Sequence, residues 1–337
     1  MAKKVTIYDV AQKAGVAIST VSRVLNESPY VSDETKRKVK AAIEELEFYP
    51  QANARKLASK EPNMVAMAVP TFTSPFFNEV LKGVKDEIFH TDLDLLIYNT
   101  GSRDSTKNLK KFLDRGTPDA LIIFSIDIDE EIHRRLIAQE VPVVLVDVKH
   151  PDFDYYWWDN YRGGQLAAEH LLKQGFTRIG MVQALDRSEK YQKREQGFEE
   201  TLEKLNHPLK EEYVTAGITR KHGGFSEEAG YEAIHILHNR GSMPEAIFCS
   251  NDSQALGAMH ALEELNLSVP NDVALIGYDN IKSARYLNLT TIDQKMLDMG
   301  GKAIQRLEAR LFEKPEDLWQ VTVEPELVIR KSTQKNK

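Results

Sequence analysis

The sequence contains few of the features that mark secreted or membrane proteins. Its 337 residues include one cysteine, Cys249, so no disulfide can form within the chain and a reducing compartment is expected. No apolar run reaches the length of a membrane span, and no apolar signal stretch follows the first four residues. We therefore expect a cytoplasmic protein that has no membrane partner.

Motifs of the common enzyme classes are also missing. The sequence has no Walker-type phosphate loop, no dinucleotide-binding glycine fingerprint after a predicted strand, and no His-Glu-x-x-His pair among its nine histidines. Cys249 lies in an apolar stretch and is interpreted as a buried residue rather than a nucleophile. We expect no catalytic activity, no cofactor and no bound metal.

Charge is distributed unevenly along the chain. The net charge is −7, yet residues 1–60 contain eleven lysines and arginines against seven acidic residues, whereas the remainder has a balance of −11. A basic head on an acidic body is typical of a DNA-binding module attached to a domain with another task. Ordinary surface charge explains the same balance about equally well, so the motifs must decide.

The head is predicted to contain three short helices. Thr6 begins the first helix with Asp9 as its capping-box partner, and Gly15 ends it. The second helix spans about 18–26 and exposes small polar side chains and one arginine, which suit base edges and phosphates in a major groove. Ser32 caps the third helix. Two short helices around a glycine turn, braced by a third, form a helix-turn-helix.

Three stretches of this region resemble the lactose/galactose-repressor (LacI/GalR) family of bacterial transcriptional regulators. They are TIYDVAQKAGVAISTVSRVLN at 6–26, YVSDETKRKVKAAIEEL at 30–46 and YPQANARKLA at 49–58. The resemblance extends from about Val5 to Ser332. It departs from the family at Ala17, where a serine usually caps the second helix, so one cap of about 1 kcal/mol is in doubt.

The resemblance implies a ligand-responsive regulator, with a repressor of a carbohydrate-utilisation operon, released from its operator by a sugar or sugar derivative, as the first interpretation. A corepressor-dependent or global regulator of the same family is the alternative. A sugar-binding protein without a role at DNA would leave residues 1–60 unexplained. The identity of the effector, phosphorylated or not, stays open.

The family pattern also assigns contacts to double-stranded operator DNA. In the head it implies contacts from Thr6, Ile18, Ser19, Thr20, Ser22, Arg23, Asn26 and Tyr30. After the head it implies a hinge helix that orders on DNA beside its dimer mate and contacts the minor groove through Asn53, Ala54, Arg55 and Leu57. Leu57 is the expected apolar wedge that opens a base step. A plain linker is the alternative.

The body, from residue 63 onward, alternates apolar strands with helical patterns. Strands are predicted at 64–69, 93–98, 120–124, 143–146, 179–182, 246–249 and 273–276, and helices at 77–88, 163–173, 194–205, 226–238 and 253–264. Such alternation predicts parallel sheets covered by helices. Seven strands over this length favour two sheets. The expected fold class is α/β, with an all-α helix-turn-helix domain at the N-terminus.

The resemblance further implies a sensor core similar to periplasmic sugar-binding proteins, with two Rossmann-like parallel-sheet subdomains and three crossovers between them. The expected division is a DNA-binding domain at 1–50, a hinge helix and linker at 51–62, a first subdomain at 63–160 plus 290–318, a second at 161–289 plus 319–332, and a polar tail at 333–337. This tail lacks the leucine heptads that pair dimers into tetramers in some relatives, so a homodimer is expected.

Ligands in such folds bind at the carboxyl ends of strands, between the subdomains. The ligand-binding residues expected there are Ser74, Phe76, Phe77, Asp147, Trp158, Arg194, Phe225, Asn251, Asp279 and Gln294. Carboxylates and amides suit the hydroxyls of a sugar, and aromatic rings suit its flat faces. Trp157 is an equivalent candidate for stacking, and Asp252 follows Asn251 at the end of the same strand as a further candidate. The structural alternatives are that the phenylalanines belong to the core and that Asp252 caps the following helix.

Overall fold

A computed structural model describes residues 5–25, 28–48, 63–71, 73–116 and 118–334. The chain divides into two compact units, 1–62 and 63–337. Among the described helices, none combines the length and the apolar character that crossing a membrane requires.

The head contains helices α1 (Ile7–Ala14), α2 (Ile18–Leu25) and α3 (Asp33–Glu45). The Thr6 backbone N–H donates to Asp9 Oδ2 at 2.8 Å, which completes the predicted capping box. Gly15 ends α1 with φ at 65°, in the left-handed region that favours glycine. One apolar cluster closes the three helices together, and its buried members are Val10, Ala11, Val21, Val24, Val31, Val39 and Ala42.

The body alternates strands and helices. The strands are β1 (Met64–Val69), β2 (Asp94–Asn99), β3 (Ala120–Phe124), β4 (Val143–Val146), β5 (Asp154–Trp158), β6 (Ile179–Gln183), β7 (Val214–Ala216), β8 (Ala246–Cys249), β9 (Ala274–Asp279), β10 (Thr290–Asp293), β11 (Gln320–Val323) and β12 (Glu326–Val328). The helices are α4 (Pro75–Ile88), α5 (Ser105–Leu113), α6 (Glu130–Ala138), α7 (Asn160–Lys173), α8 (Glu189–Lys204), α9 (Glu227–Asn239), α10 (Asp252–Glu264), α11 (Lys282–Tyr286) and α12 (Met296–Phe312).

These strands form two six-stranded sheets. The first has the order β11-β5-β4-β3-β1-β2 and is parallel throughout. The second has the order β12-β10-β9-β8-β6-β7, and only its edge strand β12 is antiparallel to its neighbour. Continuous apolar strands such as β3 are buried on both faces of their sheet. This is the burial expected where helices cover both faces of a parallel sheet. The predicted fold of two parallel-sheet subdomains is confirmed.

The chain crosses between the sheets after β5, β10 and β11, and the last two crossings differ from the prediction. The stretch 290–318 was expected in the first subdomain, but β10 pairs with β9 of the second sheet. The stretch 319–332 was expected in the second, but β11 pairs with β5 of the first sheet. Both strands have only four residues, so their apolar pattern is too short to indicate a sheet.

One buried ion-pair cluster secures the returning chain to the first subdomain. Asp154, at the start of β5, accepts hydrogen bonds from Nε of Arg306 at 3.0 Å and Nε of Arg310 at 2.6 Å. Both arginines belong to α12. Burial alone would raise the pKa of Asp154, but the two guanidinium groups lower it below its usual range.

The predicted polar tail begins too early at residue 333. Ser332 and Thr333 are buried, and Thr333 Oγ1 lies 2.9 Å from Thr290 Oγ1 and 2.8 Å from His170 Nε2. A polar composition alone predicts that these residues are exposed to solvent. Here their hydroxyl groups are paired inside the second subdomain, so the body continues through at least Thr333.

Candidate functional site

The helix α2 presents the residues predicted to contact DNA. Val21 and Val24 point into the head's core, while Ile18, Ser19 and Arg23 are exposed. Thr20 and Ser22 are partly exposed, and Thr6 and Tyr30 lie at the surface of the same unit. Ala17 supplies its carbonyl to the N–H of Thr20 at 2.9 Å, but its methyl group cannot cap the helix. Asn26, Asn53, Ala54, Arg55 and Leu57 lie outside the described residues.

A cavity of about 820 Å³ lies between the two sheets of the body, at the carboxyl ends of their strands. Its described wall includes every predicted ligand residue except Trp158. These residues are Ser74, Phe76, Phe77, Asp147, Arg194, Phe225, Asn251, Asp279 and Gln294. The structure therefore brings these nine residues together around one cavity, and their contact with a ligand stays a prediction.

Trp158 is fully buried behind the wall, whereas its neighbour Trp157 lines the cavity. Successive side chains of a strand point to opposite faces, so only one of the two tryptophans can face the cavity. Trp158 donates from Nε1 to the carbonyl of Gln294 at 2.5 Å and packs edge-on against Phe76. Its role is to support two wall residues, and Trp157 replaces it as the candidate stacking residue.

The aromatic corner of the first subdomain is set by the start of α4. Ser74 accepts a hydrogen bond from the Phe77 N–H at 3.4 Å, and Pro75 occupies the first turn, where its missing N–H costs nothing. Phe76 and Phe77 pack edge-to-face, with ring centroids 5.2 Å apart. Both rings line the cavity and pack on the core, so the binding and core interpretations of these residues are compatible.

Arg194 is held rigidly on α8. Its Nε and Nη2 donate to Asn160 Oδ1 at 3.1 and 2.8 Å, and its Nη1 donates to the carbonyl of Ser250. The central guanidinium carbon, Cζ, lies 3.4 Å from the ring centroid of Tyr278, a cation–π contact. The side chain is therefore preorganised where it lines the cavity wall.

Asp279 ends β9 with φ at 114°, a backbone conformation that non-glycine residues rarely adopt. Gln294 Nε2 donates to its Oδ1 at 2.6 Å. Burial raises the pKa of Asp279 to about 7, although the charge of Arg194 opposes the rise. A carboxyl group that is half protonated near neutral pH can both donate and accept hydrogen bonds to a hydroxylated ligand.

Lys190 and Tyr191, in the first turn of α8, are cavity residues that the sequence analysis missed. Tyr191 packs against Phe225 with ring centroids 4.3 Å apart. The helix was predicted to start at Arg194, but it starts at Glu189. Residues three and four positions before Arg194 share its helical face, so a correct start would have predicted both.

Lys190 forms an ion pair with Asp147, which follows β4 of the first sheet. Asp147 also accepts a hydrogen bond from Ser125 Oγ at 2.6 Å. Burial alone would lower the pKa of Lys190, but the Asp147 carboxylate raises it above its ordinary value. The charged pair therefore connects the two subdomains at the cavity wall.

Each of the two units of the chain is matched by a model of a known protein family. A family model described as bacterial regulatory proteins, lacI family, matches residues 6–51, and one described as a periplasmic binding protein-like domain matches residues 168–333. An HTH-type transcriptional repressor PurR from Mannheimia succiniciproducens is 34% identical over 98% of this chain and 99% of its own length.

Two solved structures are similar over nearly the whole chain. The lac repressor dimer bound to operator and the anti-inducer ONPF has 27% identity and a TM-score of 0.80, with 98% of this chain and 99% of that chain covered. The transcriptional regulator CelR in complex with cellobiose has 26% identity and a TM-score of 0.69, with 97% and 99% covered. The similarity thus includes head and body together.

Proposed function

The chain belongs to the lacI family of bacterial regulatory proteins and is a ligand-responsive, DNA-binding transcriptional repressor, and we propose that its effector is a sugar or sugar derivative that releases it from the operator of a carbohydrate-utilisation operon. The cavity between the two sheets is the proposed effector site. Repression of an operator takes place in the cytoplasm, so we place the protein there.

The observation that carries this proposal is the composition of the cavity wall. The wall contains hydroxyl, amide and carboxyl groups together with the rings of Phe76, Trp157 and Phe225. A sugar needs both kinds of contact, because its hydroxyls form hydrogen bonds in the ring plane while its C–H faces pack on aromatic rings. The described wall has five acidic and four basic side chains, a near balance that favours an uncharged ligand. The similar structure with cellobiose supports the same ligand class.

A planar nitrogen heterocycle acting as a corepressor is the second candidate. Tyr191 and Phe225 together with Trp157 offer aromatic faces that could enclose a flat ring. The relative from Mannheimia succiniciproducens is named PurR rather than after a sugar. The two candidates differ in the sign of control, because a corepressor strengthens operator binding and an inducer weakens it.

We propose that α2 reads the operator through Ile18, Ser19, Thr20, Ser22 and Arg23, with Thr6 and Tyr30 beside it. Contacts from Asn26 and from the hinge residues Asn53, Ala54, Arg55 and Leu57 stay predictions of the sequence. A homodimer is supported by the edge strand β2, where Leu96 and Ile97 are both exposed. Apolar side chains on an open sheet edge are usually covered by a partner.

The test begins with operator selection from random duplexes and a thermal-shift screen of the full-length protein against neutral sugars, sugar phosphates and nucleobases. Each ligand that raises Tm is then added to an operator titration followed by fluorescence anisotropy. We expect a neutral sugar to raise Tm and weaken operator binding at least fivefold. A nucleobase that raises Tm and strengthens binding would replace the sugar proposal with the second candidate. Operator binding that no stabilising ligand alters would contradict effector control.

A further inference from the structure

Two histidines and one aspartate lie close together at the loop that carries Asp147. His133 lies on α6, and His150 and Asp152 lie in the turn between β4 and β5. Each offers a potential metal-ligating atom, and these three atoms lie within 4.8 Å of one another. The two histidines are partly buried and the aspartate is exposed, so the cluster is open to solvent on one side.

The geometry of His133 is poorly explained by hydrogen bonding alone. Its Nε2 lies 2.8 Å from Asp152 Oδ2, yet this buried nitrogen makes no hydrogen bond of acceptable geometry. A buried ring nitrogen so close to a carboxylate without a hydrogen bond is unusual and needs an explanation. A cation bound to both atoms would accept the lone pair of the nitrogen and supply a countercharge for the carboxylate.

The second imidazole is held close to the first. The ring centroids of His133 and His150 are 4.5 Å apart, and the ring of Phe153 packs against both. His150 Nδ1 accepts the Asp152 N–H at 3.2 Å and lies 4.0 Å from Asp152 Oδ2. The turn therefore fixes the His150 ring beside the carboxylate, and a small shift of either side chain would bring all three groups around one ion.

We propose that His133, His150 and Asp152 form a binding site for a divalent transition-metal ion, with Zn²⁺ as the best match. Two imidazoles and one carboxylate are typical zinc ligands, and water would complete a tetrahedral site. Mg²⁺ and Ca²⁺ are disfavoured because they prefer oxygen ligands throughout. No sequence motif indicated this site, since His133 and His150 come from separate elements at no recognised spacing.

The consequence of binding is local order in the turn. Asp147, Val148 and Lys149 line the cavity from the same turn that supplies His150 and Asp152. A metal bound to His133 would attach this turn to α6 and restrict the backbone that presents Asp147 to Lys190. The proposed ion is thus a structural support for one wall of the cavity.

The experiment uses full-length protein freed of metal with a chelator and titrated with Zn²⁺ by calorimetry. We expect one ion per chain with micromolar or tighter affinity, and a rise in Tm of about 5 °C at a hundredfold excess over Kd. Titration with Co²⁺ provides a spectroscopic check, because a tetrahedral site with nitrogen ligands gives intense visible absorption. Mg²⁺ should give neither effect.

Variants assign the ion to this cluster. His133→Gln and His150→Gln should each weaken Zn²⁺ binding at least tenfold, while His207→Gln, at an exposed position elsewhere, should leave binding unchanged. Zn²⁺ should also slow hydrogen exchange in peptides covering 147–153 in the parent but not in Asp152→Asn, a variant at an exposed side chain that is expected to fold. Absence of stoichiometric binding in the parent, or equal affinity in the parent and all three cluster variants, would show that these residues only pack together.

Discussion

Lys190 of the second subdomain and Asp147 of the first form an ion pair that joins the two sheets of the body beside the cavity. Both side chains are largely withdrawn from solvent. Removing one member of such a pair leaves the other charge buried without a partner, which costs more than removing both.

This relationship predicts an asymmetry in stability. Lys190→Met should lower the free energy of unfolding by about 3 kcal/mol, whereas Lys190→Met combined with Asp147→Asn should recover at least half of that loss. Urea denaturation measures both. Lys193→Met is the matched control, because Lys193 lies on the same helix but is exposed. Equal effects at positions 190 and 193 would mean that the ion pair does not stabilise the body.

Arg194 should contribute both to the affinity for the effector and to the stability of the second subdomain. Lysine cannot reproduce the two bonds to Asn160 or the stacking on Tyr278. Arg194→Lys should therefore weaken effector binding at least tenfold and destabilise the fold by about 2 kcal/mol. Calorimetry with the effector and urea denaturation test the two parts separately. Arg220→Lys, at an exposed position on the cavity wall, should affect neither strongly.

His170 should make stability depend on pH below neutrality. Its ring is buried against Thr333, and burial, with the charge of Lys173 adding to it, lowers the pKa of His170 to about 4. An unfolded histidine has a pKa of about 6.5, so the unfolded chain binds more protons between pH 4 and 6.5. Stability should be complete above that window and fall by up to roughly 3 kcal/mol as the pH drops through it.

The measurement for His170 is the difference in unfolding free energy between the parent and His170→Gln at several pH values. The difference isolates this residue from Asp279, whose pKa of about 7 acts in the opposite direction. The parent should lose its advantage over the variant as the pH falls from 6.5 to 4. A difference that stays constant over this range would rule out a neutral buried imidazole.

Arg23 should contribute to operator affinity more than other basic residues of the head. It is exposed on α2, the helix predicted to enter the major groove. Arg23→Ala should weaken operator binding at least tenfold in an anisotropy titration at fixed salt. Lys38→Ala is the control, because Lys38 is on α3 and already pairs with Glu34 at 2.7 Å. Comparable losses in both variants would contradict the assignment of α2 as the reading helix.

Leu57→Ala tests the predicted wedge, although this residue lies outside the described part of the chain. Operator affinity should fall far more than affinity for random DNA, because the phosphate contacts of lysine and arginine are unaffected. DNA bending, measured by energy transfer between the duplex ends, should decrease as well. Equal weakening on both DNAs would show that the hinge only links the head to the body and that Leu57 does not act as a wedge.

The sequence predicted most reliably what continuous apolar patterns specify. β1, β3, β4 and β8 begin and end where expected, because each is an apolar run bounded by a polar residue or a proline and buried within its sheet. The carboxyl ends of such strands then predicted part of the cavity wall, including Asp147, Asn251 and Asp279. The family pattern added Arg194, which no periodicity would distinguish from a surface helix residue.

The features that the sequence did not predict depend on long-range packing. β5 was not predicted, and without its register the sequence could not tell which of Trp157 and Trp158 faces the cavity. The polar start of α8 concealed Lys190 and Tyr191. The crossovers at β10 and β11 depend on which sheet edge is free when the chain returns, and that information is absent from any local pattern.

The late return of the chain has a consequence for synthesis on the ribosome. β11 forms one edge of the first sheet and β12 one edge of the second, and both emerge after the other described strands have been translated. Asp154 likewise has no Arg306 or Arg310 to pair with until the strands β6 to β10 of the second subdomain have been made. The head, with its own apolar core, can fold early. A nonsense codon before β11 would therefore yield a chain with a complete DNA-reading head and an unfinished sensor, which an assay of the head alone would not reveal.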